Sequence, residues 1–160
     1  MKQNPKISKI AIFYAIIAFG LFTNQTTLPK QEEKAKEGEV KTVAIMGYDT
    51  VAYFTQKEAV KGKKELFVVW NQKLWLFSNL KNRDLFQASP EKYVPQYGGQ
   101  CAFAMSTGKK VPAYPERWSV ENGKLYLNSN RFASFLWSIV PSRVEKADKN
   151  WQALQSSSKK

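Results

Sequence analysis

Apolar residues in the middle of the chain fall into short runs with the spacing of β-strands. Two runs, at residues 66–70 and 74–77, flank a polar turn, which is the pattern of a β-hairpin. A second pair, at residues 118–121 and 124–127, flanks an Asn-Gly dipeptide at 122–123, and Asn-Gly supplies the positive φ angles of a type I′ turn. The sequence therefore predicts two β-hairpins.

Apolar residues at helical spacing, each group preceded by a capping residue, predict helices after the hairpins. Ser78 or Asn79 is suited to cap a helix that runs to about residue 88, and Asn130 is suited to cap one over residues 131–139. Ser142 is expected to open a polar helix that ends near residue 154. The apolar residues expected on one face of these helices, turned inward in the first, are Leu80, Leu85 and Phe86; Phe132, Phe135 and Leu136; and Val144, Ala147, Trp151 and Leu154.

Two shorter segments complete the pattern. Residues 51–54 fit either an edge strand or a short helix, and residues 90–93 fit one helical turn. Because strands and short helices are mixed without a regular βαβ repeat, the sequence predicts an α+β fold. A chain of 160 residues has room for one such domain, which we place at residues 42–154.

The N-terminal residues have the three-part form of a secretory signal peptide. Three lysines precede an apolar run at residues 10–22, which is shorter than the ~20 residues of a membrane-spanning helix. We therefore expect residues 1–26 to be a signal peptide and the protein to be exported, either periplasmic or secreted. An uncleaved N-terminal anchor is the alternative. Residues 27–41 are interpreted as a charged linker and residues 155–160 as a disordered tail.

Composition excludes many kinds of catalytic and metal site. The chain has no histidine and one cysteine, so it cannot build a Ser-His-Asp or Cys-His device, or a zinc site with histidine ligands. A single thiol also excludes an intramolecular disulfide, a Cys-x-x-Cys redox pair and a zinc site with several thiolates. The sequence predicts no particular enzymatic reaction.

The formal charge of +12 makes this a basic protein. Nucleic acid is the usual partner of such a charge, but the lysines are scattered and the predicted export argues against it. We expect no nucleic-acid binding and only weak attraction to anionic membranes or cell-wall polymers.

The one thiol lies in a segment with features of a functional site. Cys101 follows Gly98 and Gly99, which would let a ligand or another backbone approach closely. It precedes residues 102–106, a predicted short helix, whose N-terminus would favour the thiolate. Alternatively, the thiol is a small buried group that packs as a hydrophobe, or it pairs with another molecule.

Two methionines could complete a soft-metal site around that thiol. Met105 follows Cys101 by four residues, which predicts that both side chains share a helical face, and Met46 lies in an earlier loop. A thiolate with thioethers is a ligand set that suits a copper ion, Cu(I). The alternative is that both methionines fill the core.

Further candidate residues line the same predicted site. Tyr48 and Asp49 could place a hydroxyl and a carboxylate beside the thiol, or could form a turn in which the carboxylate accepts backbone N–H groups. Tyr97 is the tyrosine that directly precedes the two glycines. It fits either core packing or the lining of a pocket.

Four ordered blocks of sequence are distributed over nearly the whole length of residues 42–154. They are residues 47–54 (Gly-Tyr-Asp-Thr-Val-Ala-Tyr-Phe), residues 82–102 (with Pro-Glu-Lys-Tyr and Tyr-Gly-Gly-Gln-Cys-Ala), residues 123–128 (Gly-Lys-Leu-Tyr-Leu-Asn) and residues 147–151 (Ala-Asp-Lys-Asn-Trp). Together they resemble the exported YHS-domain proteins. The resemblance implies a small α+β module related to treble-clef metal-binding modules, and suggests metal or redox chemistry.

The chain departs from the metal-binding version of that family. There, a cysteine-containing segment follows the first hairpin, whereas residues 76–83 contain no thiol here. The metal role of those cysteines therefore does not transfer, and Cys101 is the thiol that remains.

Three functions follow as hypotheses. The first is a soft-metal, copper-type binding module at Cys101, Met105 and Met46. The second is a thiol-redox protein or sensor that uses the same cysteine with an external reductant. The third is a structural or interaction domain in which Cys101 is buried.

Overall fold

The computed structural model describes residues 42–157. The predicted signal peptide, the charged linker and residues 158–160 lie outside the described residues. The elements are, in chain order, β1 Thr42–Val43, α1 Ala52–Thr55, β2 Lys63–Trp70, β3 Lys73–Phe77, α2 Leu80–Ala88, α3 Pro90–Tyr93, α4 Ala102–Ser106, β4 Tyr114–Glu121, β5 Lys124–Asn128, α5 Arg131–Ile139 and α6 Arg143–Ser157. This is the α+β class that the pattern predicts.

The first hairpin belongs to a three-stranded sheet in the order β1-β3-β2. β2 and β3 are antiparallel, and β1 runs parallel to β3 on its other edge. The turn between β2 and β3 has two residues, Asn71 and Gln72, with φ of 49° and 59°. Positive φ at both positions is the geometry of a type I′ turn, which suits the twist of the flanking strands.

The second hairpin pairs β4 with β5 around Asn122 and Gly123, whose φ angles are 50° and 74°. The Asn-Gly dipeptide therefore adopts the turn that its chemistry predicts. The register shifts between Tyr114 and Trp118. This irregularity lies at the end of the hairpin away from the turn.

Helix starts follow the sequence closely. The side chain of Asn79 accepts the N–H of Asn82 at 2.9 Å, and that of Asn130 accepts the N–H of Ala133 at 2.8 Å, so both asparagines satisfy N–H groups that have no partner within the helix. Residues 51–54 lead into a short helix rather than an edge strand. α6 continues to Ser157, three residues beyond its expected end.

Burial corrects the expectation for one helix face and shows which face of another helix is packed. Leu80 is 55 % exposed, although it was expected to turn inward, because it is the first residue of α2 and lies outside the packed face. In α5 the buried residues are Ala133 and Trp137, whereas Phe132 and Phe135 are exposed. α5 therefore has two apolar faces, and the face that contains Trp137 is the one packed in the core.

The core has three adjoining clusters. The first packs the three-stranded sheet against α1, α2 and α3, the second lies under the β4–β5 hairpin, and the third packs β5 against α4, α5 and α6. The predicted apolar face of α6 packs into the third cluster through Val144, Ala147, Trp151 and Leu154. Within residues 42–157, no helix is long and apolar enough to cross a membrane.

Candidate functional site

The segment that carries Cys101 runs beside β5. Pro95 forms an isolated parallel bridge with Leu125, and Cys101 forms another with Leu127. The N–H of Cys101 donates to the carbonyl oxygen of Val111 at 2.8 Å. The thiol is therefore fixed against the second hairpin, and it is completely buried.

The thiol is the N-terminal cap of α4. Its Sγ accepts the N–H of Ala104 at 3.5 Å and lies 3.6 Å from Oδ1 of Asn128, to which the S–H donates. The same Asn128 oxygen accepts the N–H of Phe103 at 3.1 Å. Cys101 and Asn128 thus share the task of satisfying the first N–H groups of this short helix.

The three sulfur residues of the predicted copper site occupy different environments. Cys101 packs in the cluster under the β4–β5 hairpin, and Met105 is buried in the cluster with Tyr97 and Trp137. Met46 is 54 % exposed on a loop, and its carbonyl oxygen accepts a hydrogen bond from Lys61 Nζ at 3.1 Å. The structure does not collect these residues around one point.

The structure corrects the prediction that Cys101 and Met105 share one helical face, and the backbone of Cys101 explains why. Cys101 has φ of −60° and ψ of 116°, so it is extended and precedes the helix. Its side chain therefore does not follow the helical periodicity that places residues four apart on one face. Among residues 42–157, no three His, Cys, Asp or Glu side chains are grouped so that they could hold a metal ion.

Asp49 is a buried carboxylate with a complete set of partners. One oxygen accepts the N–H groups of Val51 and Ala52 at 2.9 and 3.2 Å. The other accepts the N–H and the hydroxyl of Ser78 at 2.8 and 2.6 Å and the amide of Asn82 at 2.7 Å. These contacts are those of a turn that joins the start of α1 to the end of β3 and to α2. This geometry matches the turn interpretation of Tyr48 and Asp49.

Tyr48 forms a surface cluster with Glu116 and Lys61. Its hydroxyl donates to the carboxylate of Glu116, and Lys61 Nζ lies 3.9 Å from the centre of its ring. The hydrogen bond to the carboxylate, followed by burial, raises the pKa of Tyr48, and the same bond lowers the pKa of Glu116. Tyr48 is therefore a neutral phenol, and Glu116 a carboxylate, at neutral pH.

The tyrosines of the core are also protonated phenols. Burial, followed by the hydrogen bond to Asp148 at 2.8 Å, raises the pKa of Tyr97 far above its usual value. Burial likewise raises the pKa of Tyr53, whose hydroxyl donates to the carbonyl oxygen of Pro115 at 3.1 Å. Neither residue is suited to act as a tyrosinate nucleophile or base.

Two turns with left-handed backbone carry half of the candidate residues. Residues 45–47 have φ of 37°, 53° and 76°, and residues 97–99 have φ of 55°, 63° and 80°. Non-glycine residues in this region cost about 1–2 kcal/mol each, and Ile45 is β-branched. A Cβ on Gly99 would lie 3.6 Å from Cγ2 of Ile45, so the two turns pack against each other.

Two of the residues that organise this region are not among the candidates that the sequence indicates. Asn82 and Asn128 are buried amides that hold Asp49 and Cys101 in place. Asn128 ends an apolar strand run, and a polar residue at the end of such a run is the signal that could have indicated it.

Comparison with known proteins does not assign this chain to a family. No protein-family model, no curated protein and no solved structure matches the chain. The resemblance to exported YHS-domain proteins therefore stays a prediction from the four sequence blocks.

Proposed function

We propose that this chain is an exported YHS-like interaction domain, in which Cys101 is a structural cap inside the core and binding occurs at an exposed surface. The observation that carries the proposal is the solvent-facing side of α5. Phe132, Phe135 and Ile139 are 69 %, 56 % and 54 % exposed. Apolar patches of this kind mark binding surfaces in soluble proteins.

The three exposed residues form one stripe of the helix. They are spaced by three and four positions, which places them on the same face. The opposite face is held in the core by Ala133 and Trp137. The stripe is therefore presented on a rigid element, as a docking surface requires.

The other two hypotheses need a change in this structure. A copper site would require Met46 and Met105 to leave their separate environments and meet the thiol. Thiol-redox chemistry would require an oxidant to reach Cys101 through the core. Both remain proposals, and the burial of the thiol favours the interaction domain over them.

We expect the thiol of the native protein to react with a maleimide at least about a hundredfold more slowly than an exposed cysteine, because labelling requires the core to open. The rate should rise to that of an exposed thiol in denaturant. Labelling followed by mass spectrometry measures this. A Cys101→Ser/Leu80→Cys variant, with its thiol at an exposed position, is the control.

Copper titration completes the test. The wild type and Cys101→Ser should compete equally poorly with a Cu(I) chelator if the thiol is structural. Fast labelling of the native protein would support the redox hypothesis, and tight copper binding lost in Cys101→Ser would support the metal hypothesis. Either result would overturn the interaction-domain proposal.

A further inference from the structure

We infer that the exposed face of α5 docks on an anionic lipid surface. This inference rests on the proposed function and names its partner. The apolar stripe at Phe132, Phe135 and Ile139 would enter the boundary between headgroups and acyl chains, and neighbouring arginines would contact the lipid phosphates.

An open groove joins the stripe to basic side chains. Its volume is about 620 Å³, and its lining includes Tyr114 and Phe132 together with Arg117 and Arg131. Tyr114 is itself 54 % exposed. Aromatic side chains next to arginines are the composition that favours the interface of a membrane.

The arginines of the groove are available for a ligand. Neither Arg117 nor Arg131 forms an ion pair with any residue in the part of the chain that the structure describes. The groove also contains Glu116, but its carboxylate accepts the hydroxyl of Tyr48 and is attracted to Lys61 as well as Arg117. The arginines therefore set the charge that the groove presents.

The positive charge around α5 favours an anionic partner. Residues 122–144 contain no Asp or Glu, and residues 27–160 have a formal charge of +9. A negatively charged lipid surface is attracted to such a region, whereas a second copy of this chain would be repelled by it. Charge complementarity therefore favours a lipid surface over self-association.

A local fluorescent reporter tests the inference in the full chain. Phe135→Cys and, as the matched control, Leu80→Cys would be labelled with nitrobenzoxadiazole in a Cys101→Ala background. Positions 135 and 80 are 56 % and 55 % exposed in the native protein. Because the reporter senses only its own surroundings, attachment of residues 10–22 to the vesicle would give no signal at position 135.

The vesicles contain phosphatidylcholine alone, or phosphatidylcholine and phosphatidylglycerol in equal parts. We expect emission from position 135 to rise about twofold or more and to shift to the blue on the anionic vesicles, since the label enters a less polar layer. The label at position 80 should not respond. No response at position 135 on anionic vesicles would overturn the inference but leave the thiol result, and with it the proposed function, intact.

Two other outcomes would also overturn it. A blue-shifted signal without lipid that grows with protein concentration would assign the face to a second copy. A blue-shifted signal without lipid that is independent of concentration would assign it to a segment of the same chain.

The arginines supply a second, independent readout. Arg117→Gln/Arg131→Gln should raise the anionic lipid concentration needed for half of the position-135 signal by about tenfold, because each basic residue near the surface adds attraction. Lys63→Gln/Lys64→Gln removes the same charge from β2 and is the control. Equal effects of the two double variants would show that net charge alone, and not the groove, attracts the lipid.

Discussion

Replacing Asp49 with alanine is expected to lower the free energy of unfolding by about 4 kcal/mol, because buried donors would lose their acceptor. The carboxylate is fully buried and accepts five hydrogen bonds. Three of the donors are backbone N–H groups, which cannot turn towards another partner. Urea unfolding followed by tryptophan fluorescence measures the loss.

The matched control is Asp84→Ala. Asp84 is an exposed carboxylate paired with Arg83 at 2.8 Å, and the pair should contribute less than about 1 kcal/mol. Asp49→Asn keeps one acceptor oxygen and should fall between the two variants. If Asp49→Ala cost no more than Asp84→Ala, water would be replacing the carboxylate and the turn would not depend on it.

The sequence predicts the elements of this fold where the signal is local. Asn-Gly at 122–123 sets its own turn, and the caps Asn79 and Asn130 act on N–H groups three residues away. These interactions need no tertiary partner. Hairpins and helix starts therefore follow from the chain alone.

The buried face of α5 does not follow from the chain alone. The helix is apolar on two sides, so spacing identifies both stripes without choosing between them. The choice is made by Trp137, which packs in the third core cluster and donates its indole N–H to Glu121 at 3.0 Å. Arg143 also pairs with Glu121, at 2.6 Å. Such a set of contacts between distant residues has no signature in a sequence window.

The candidate site shows the same limit. The sequence identifies Cys101 and its short helix, but not that the thiol itself is the cap. The thiol and the Met105 side chain pack in different core clusters, although their spacing predicts a shared helical face. The sequence also does not predict the left-handed turn at residues 45–47, because Ile45 and Met46 are residues that rarely adopt it.

The second large effect is expected at Gly62, where alanine should lower the free energy of unfolding by about 3 kcal/mol through overpacking. A Cβ there would lie 2.5 Å from both the carbonyl carbon and the Cβ of Leu76. Leu76 belongs to β3, which has β1 on one side and β2 on the other. The strand therefore cannot move aside without disturbing the core residues Trp75 and Phe77.

Gly123→Ala is the control that separates crowding from backbone strain. Gly123 has φ of 74° in an open turn, and a Cβ there would meet no atom within 4 Å. Its replacement should cost about 1 kcal/mol, from the left-handed backbone alone. Gly62 differs in having no left-handed φ, so a larger loss at Gly62 would have to come from contact with β3. If urea unfolding gave equal losses of unfolding free energy for the two variants, the sheet would be shifting to accommodate the new Cβ. The close approach of residue 62 to β3 would then not be a fixed part of the fold.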